Sequence, residues 1–161
     1  ERRKEGVFVT LDVIRNLSVS CIDNFLNAFI FTNQRKEEKN ANKYIESMRI
    51  KTSSPLQKVK NLSGGNQQKV AIGKWLAADA DIYIMDEPTK GIDVGAKREI
   101  FDLIYGLADQ KKGVIYLSSE LKEILAVTER VYVMYNGEIQ KELVTSETNE
   151  QEIMFYATGG K

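Results

Sequence analysis

From Asn61 to its end the chain switches repeatedly between helical and extended periodicity, and that alternation restricts the possible folds more than any other feature. A helix-like segment from about Asn66 to Ala78 precedes the apolar run Ile82 to Met85, which ends in Asp86-Glu87-Pro88. A second helix, roughly Ala96 to Gln110, sets Ile100, Phe101, Ile104, Leu107 and Ala108 on one stripe. After Gly113, Val114 to Leu117 reads as a strand, a short helix follows from about Glu120 to Val127, and Val131 to Tyr135 is extended again. Asn136-Gly137 signals a hairpin into Glu138 to Leu143, and Glu147 to Ala157 suits a closing helix. Strands alternating with helices predict an α/β fold: a largely parallel sheet covered by helices on both faces, with a hairpin at one edge.

The first third has a different texture. It holds a single glycine, Gly6, and Ile22, Phe25, Leu26, Phe29 and Ile30 recur at helical spacing. Gln34 to Met48 continues as a helix whose Arg-Lys-Glu-Glu-Lys block reads as a solvated face, and Ser53-Ser54-Pro55 punctuates the chain. Ile22 to Phe31 is interrupted by Asp23, Asn24 and Asn27 and is about half the length a bilayer span needs. Cys21 lies among apolar residues and reads as a small core residue. The first residue is Glu1 rather than Met, which leads to the expectation of a longer parent polypeptide.

Charge and composition then exclude whole classes of chemistry. Lys and Arg total 23 against 23 Asp and Glu, so the clustered cationic surplus of a simple nucleic-acid binder is missing and no nucleic-acid partner is expected. There is no histidine, so no Ser-His-Asp triad, Cys-His dyad or His-based zinc site can be assembled from these residues. Chemistry here must use carboxylates, hydroxyls and backbone.

Two constellations supply such groups. In Asn61-Leu62-Ser63-Gly64-Gly65-Asn66-Gln67-Gln68-Lys69-Val70, two glycines and a serine open an amphipathic helix, where backbone N–H groups and the dipole favour an anion. Ser-Gly-Gly taken alone also describes an ordinary capped helix. In Ile82 to Thr89, an apolar strand delivers Asp86 and Glu87 at its carboxyl end, the place where open α/β sheets bind ligands. One carboxylate there can hold Mg²⁺ through water and its neighbour can polarise an attacking water. A hydrophobic strand ending in two acids can equally be structural.

In this order the two segments resemble the motifs of ABC ATPases. Leu62, Ser63, Gly64, Gly65, Asn66, Gln67 and Gln68 resemble the signature motif that contacts nucleotide. Ile82 to Glu87 resembles the Walker B strand, with Asp86 as the water-mediated Mg²⁺ position and Glu87 as the catalytic glutamate. Lys90-Gly91-Ile92-Asp93 resembles the D-loop, with Gly91 and Asp93 as its site residues. Glu1 to Gly6 and the helices after it resemble the helical subdomain, and Val131 to Ile139 the terminal hairpin. The long signature form, the stretch Thr89 to Ala96 and the tail Ala157-Thr158-Gly159-Gly160 are similar to the C-terminal cassette of tandem ATPases that energise monosaccharide importers of ribose, galactose or xylose type.

The resemblance implies part of a P-loop NTPase core plus an α-helical subdomain: residues 1–65 end in the signature motif, and residues 66–161 form the C-terminal part of the core. It implies ATP and Mg²⁺ as cofactors and a peripheral position on the cytoplasmic face of the cell membrane. The partners it implies are a second cassette, either the N-terminal half of the same polypeptide or another copy, then membrane permease subunits and, indirectly, a sugar-binding protein.

Two departures qualify it. No Gly-x-x-x-x-Gly-Lys-Ser/Thr occurs in the 161 residues, so the nest and lysine that grip the β- and γ-phosphates are not among them, and negligible ATP affinity is expected of these residues alone. Ser119 stands in Ser118-Ser119-Glu120 at the H-loop position, where many ABC ATPases place a histidine against the γ-phosphate; as a bare residue it reads as the cap of the following helix. Alternatives are a non-catalytic cassette that docks on a permease, and the C-terminal half of a DNA-repair or chromosome-maintenance ATPase. The latter would bring coiled-coil heptads upstream, and none are seen.

Overall fold

The structure is a computed structural model that describes residues 6–27 and 31–160. Its elements in chain order are α1 (Val13–Ser18), β1 (Leu26–Asn27), β2 (Phe31–Thr32), α2 (Gln34–Ser47), α3 (Gly64–Leu76), β3 (Ile82–Asp86), α4 (Val94–Asp109), β4 (Gly113–Leu117), α5 (Leu121–Val127), β5 (Arg130–Tyr135), β6 (Glu138–Val144) and α6 (Glu150–Ala157). Contacts divide the chain into two compact units. One comprises Glu1–Asp81 with Thr89–Leu103, the other Ile82–Pro88 with Ile104–Lys161.

In the first unit α1 packs against α2 and α3. Asp12 starts α1 by accepting the Arg15 N–H at 2.8 Å, and the helix buries Val13, Ile14 and Leu17. Asn16, fully buried on the same helix, is satisfied by Phe8: its Oδ1 accepts the Phe8 N–H at 2.8 Å and its Nδ2 donates to the Phe8 carbonyl at 3.0 Å. Such pairing offsets the cost of taking an amide out of water. Asn33 caps α2, whose charged block is exposed apart from Glu37.

The helix expected through Ile22 to Ile30 does not form as such. Val19–Phe25 is a 3₁₀ segment broken at Cys21 (φ −135°, ψ 33°), and the chain then pairs β1 with β2 antiparallel, Leu26 against Thr32 and Asn27 against Phe31. Phe29 and Ile30 lie outside the described residues, as do Glu1 to Glu5. Asp23 and Asn24 lie in this segment, and residues of their type favour turns over helix interiors.

In the second unit β3 and β4 pair in parallel, from Ile82 against Gly113 to Asp86 against Leu117. Tyr83 and Met85 are buried while Ile82, Ile84, Ile115 and Leu117 are exposed, so among the described residues this sheet is covered on one face and not on both. β5 and β6 form their own antiparallel sheet around Asn136 (φ 50°) and Gly137 (φ 81°), two left-handed residues as a tight hairpin turn requires. Val131, Val133 and Leu143 of this hairpin form a core with Ile153 of α6, against which Leu121, Ile124 and Leu125 of α5 pack. Asn149 caps α6 by accepting the Glu152 N–H at 3.0 Å, which starts that helix three residues later than the periodicity suggests. Among the described residues no helix is long and apolar enough to cross a membrane.

Candidate functional site

In the second unit, β3 places Asp86 and Glu87 at its carboxyl end. Asp86 is exposed. The Glu87 N–H donates to the Leu117 carbonyl at 2.9 Å, one residue past the end of the strand. Glu87 itself has φ 47°, a left-handed conformation that costs a non-glycine residue about 1 kcal/mol or more. Ser119, 32 positions later, accounts for where its side chain is held: the Ser119 hydroxyl donates to Glu87 Oε1 at 2.8 Å and the Ser119 N–H donates to the same oxygen at 3.1 Å. The reading of Ser119 as a helix cap is therefore corrected. Helix α5 begins at Leu121 after Glu120, which makes no side-chain cap, and it is Ser118 whose Oγ accepts the Glu120 N–H at 3.0 Å. Both bonds to Glu87 fall on the same oxygen, Oε1.

The first unit carries the other set of residues. Ser63 occupies the N-cap of α3 without making a side-chain capping bond. Asn66 Nδ2 donates to Ser63 Oγ at 2.8 Å, and Asn66 Oδ1 accepts the Lys51 N–H at 2.7 Å. Gln67 donates to the Val59 and Leu62 carbonyls, both at 3.1 Å, and Leu62, Gln67 and Gln68 are buried. Their side chains face the protein interior, while Ser63 and Gly64 are exposed. Gly65 is half-buried for a steric reason: a Cβ there would stand 3.2 Å from the Ala96 Cβ and 3.8 Å from Asp93 Oδ2. The start of α3 thus meets the start of α4, and the structure brings Gly65 and Asp93 together within this unit.

Gly91 is left-handed at φ 68° and turns the chain toward Asp93. Asp93 caps α4 by accepting the Ala96 N–H at 2.9 Å. That bond, helped by the Gly95 N–H and the Lys51 charge, holds the Asp93 carboxyl below its ordinary value. A folded value below the unfolded one means that its stabilisation is full above about pH 4 and disappears as pH falls through the lower folded value. Asp93→Asn keeps a cap acceptor but loses the titration. Paired urea melts are expected to show the wild type gaining on Asp93→Asn between about pH 3 and about pH 6.

Sequence reasoning missed the Lys69 side chain. It is buried, donates to the Arg49 carbonyl at 3.1 Å and pairs with Glu99, tying α3 to α4. A lysine inside the buried stretch Gln67 to Val70 was the available signal, because a buried ammonium needs a partner.

The family model for the ABC transporter matches residues 3–90, which include the Ser63 and Glu87 segments. This chain belongs to the ABC transporter family. It is 47% identical over 154 residues to the galactose/methyl galactoside import ATP-binding protein MglA of Fusobacterium nucleatum, a match covering 96% of this chain and 31% of that protein. Xylose import ATP-binding protein XylG of Thermoanaerobacter pseudethanolicus is 45% identical over 161 residues, covering 100% of this chain and 32% of that protein. Arabinose import ATP-binding protein AraG of Paraburkholderia xenovorans is 42% identical, covering 98% and 31%. The ABC transporter chain therefore spans about a third of the length of these relatives.

Solved structures agree on the fold. A dimeric, post-hydrolysis ATP-binding cassette bound to ADP and Pi superposes with a TM-score of 0.74 at 23% identity, covering 86% of this chain and 59% of that one. A putative metal-chelate type ABC transporter in an inward-facing conformation gives 0.78 at 17% identity, covering 92% and 58%. The α/β architecture of this ABC transporter chain is that of the P-loop NTPase cassettes.

Proposed function

We propose that these residues are part of an ATP-hydrolysing subunit that energises sugar import, contributing a signature segment and a Walker B strand. The observation that carries the reading is the Glu87 carboxylate, held by two bonds from Ser119 at the end of β3 beside the exposed Asp86. A carboxylate fixed through one oxygen is suited to orient and deprotonate a water with the other. Asp86 offers a hard oxygen donor that fits Mg²⁺ held mainly by water and phosphate oxygens; bound there, the ion would offset phosphate charge. Ser63 and Gly64, at the start of α3, are suited to contact the terminal phosphate of ATP gripped by another cassette. In this reading residues 1–65 serve as the helical subdomain and residues 66–161 as part of the catalytic core.

The relatives named for galactose, xylose and arabinose import support a monosaccharide as cargo. The dimeric cassette structure supports a second cassette as partner, from the same polypeptide or another copy. Membrane permease subunits and, through them, a sugar-binding protein complete the assembly, on the cytoplasmic face of the membrane. No nucleic acid is needed.

The test is Glu87→Gln in the full-length protein assembled with its permease. Hydrolysis is expected to slow about tenfold or more while ATP stays bound, since the amide can position but not accept a proton. Unchanged turnover would overturn catalysis by Glu87 and favour a scaffold that docks without hydrolysing. The 161 residues alone are expected to bind ATP only weakly, and sub-millimolar affinity by calorimetry would contradict that.

A further inference from the structure

Asn66 sits inside the signature segment, yet both ends of its amide are used within the protein. Its orientation follows from chemistry. The Lys51 backbone N–H can only donate, so the amide atom 2.7 Å from it is the oxygen and the atom 2.8 Å from Ser63 Oγ is the nitrogen. That nitrogen can only donate, so Ser63 Oγ accepts in this bond and keeps its own hydrogen for another partner. A serine at an N-cap ordinarily accepts an N–H of its own helix, but Ser63 makes no such bond. Its oxygen is instead held from the side by Asn66, which is itself tethered to the backbone at Lys51. Ser63 is exposed and Asn66 is half-buried, so the serine is the group presented to a ligand and the asparagine stands behind it.

We propose that Asn66 is a positioning residue: it occupies the acceptor side of the Ser63 hydroxyl so that the hydroxyl hydrogen is left to donate to a terminal phosphate oxygen of ATP. The proposal rests on the reading of Ser63 as a phosphate contact given above. The amide is essential to it. An aspartate at this position would still accept the Lys51 N–H, but its second oxygen would take the Ser63 hydrogen and turn the hydroxyl inward.

The experiment measures kcat/KM for ATP hydrolysis by the full-length assembled protein carrying Ser63→Ala, Asn66→Ala, Asn66→Asp, and Ser63→Ala with Asn66→Ala. A hydrogen bond to a charged oxygen supports an expected loss of about tenfold or more for Ser63→Ala. Asn66→Asp should match or exceed it, Asn66→Ala should lose a few-fold, and the double variant should fall no further than Ser63→Ala. Thermal melts confirm folding, and Asn66→Asp, which retains the Lys51 tether, decides the matter if Asn66→Ala melts early. Wild-type rates in Asn66→Asp, or losses from Ser63→Ala and Asn66→Ala that multiply, would overturn the positioning role. A Ser63→Ala variant with full activity would overturn the phosphate contact itself and the proposal with it.

Discussion

Replacing Ser63 by Ala and Gly64 by Asp in the full-length protein is expected to lower ATP hydrolysis about a hundredfold or more, a deeper loss than Glu87→Gln produces. Both residues are exposed at the start of α3, where backbone dipoles favour an anion. An aspartate in the first turn puts a fixed negative charge where a phosphate would approach, and two like charges there repel. The same charge suits the helix dipole, so α3 should fold as well as before, and an activity loss would not reflect unfolding. The inequality with Glu87 has a separate basis. Ser63 and Gly64 would serve the site of the facing cassette, whereas Glu87 would serve a site that has Ser119 at the position where the family pattern often has histidine. The check is a rate measurement on both variants at saturating ATP, with circular dichroism for folding. Equal losses would contradict this division of labour.

The second large effect concerns the sheet of β3 and β4. Ile82 and Ile84 are 64% and 71% exposed, and Ile115 and Leu117 lie exposed on the paired strand. An apolar patch of this kind left facing water drives association. The isolated 161 residues are expected to self-associate in light scattering as concentration rises. Ile84 and Ile115 are register partners, so Ile84→Lys with Ile115→Glu places opposite charges across the strands and keeps the pairing intact. Burying an isoleucine is worth about 1.5–3 kcal/mol, so removing two should raise the association midpoint about a hundredfold or more. A wild-type chain that stays monomeric throughout the series would refute the prediction.

Much of the architecture is local and was therefore legible. The apolar run of β3, the stripe on α4 and the Asn136-Gly137 turn are each set by neighbours within a few residues, and the elements form close to where periodicity places them. The stretch after Cys21 was misread for an equally local reason. The apolar spacing there suggests a helix, whereas in the structure the segment breaks at Cys21 and the chain turns into a hairpin.

The candidate sites divide along the same line. Residue order alone showed that Ser63 to Gln68 opens a helix and that Asp86 and Glu87 end a strand. Which side chains face outward was not visible. Leu62, Gln67 and Gln68 are buried; Gln67 donates inward to the Val59 and Leu62 carbonyls, and Lys69 beside them meets the Arg49 carbonyl and Glu99 from farther along the chain. Ser118 and Ser119 are adjacent and chemically identical, yet one caps a turn and the other grips Glu87.

The order of elements, the family motifs and the absence of histidine from these 161 residues are read directly from the amino-acid order, because periodicity, turn chemistry and composition act over short spans. Three-dimensional packing alone reveals that Ser119 holds Glu87, that Asn66 holds Ser63, and that a side chain at Gly65 would crowd Ala96. Each of those is a contact between residues set by packing or chain turning, and hydrogen-bond direction and steric room exist only once the partners have met.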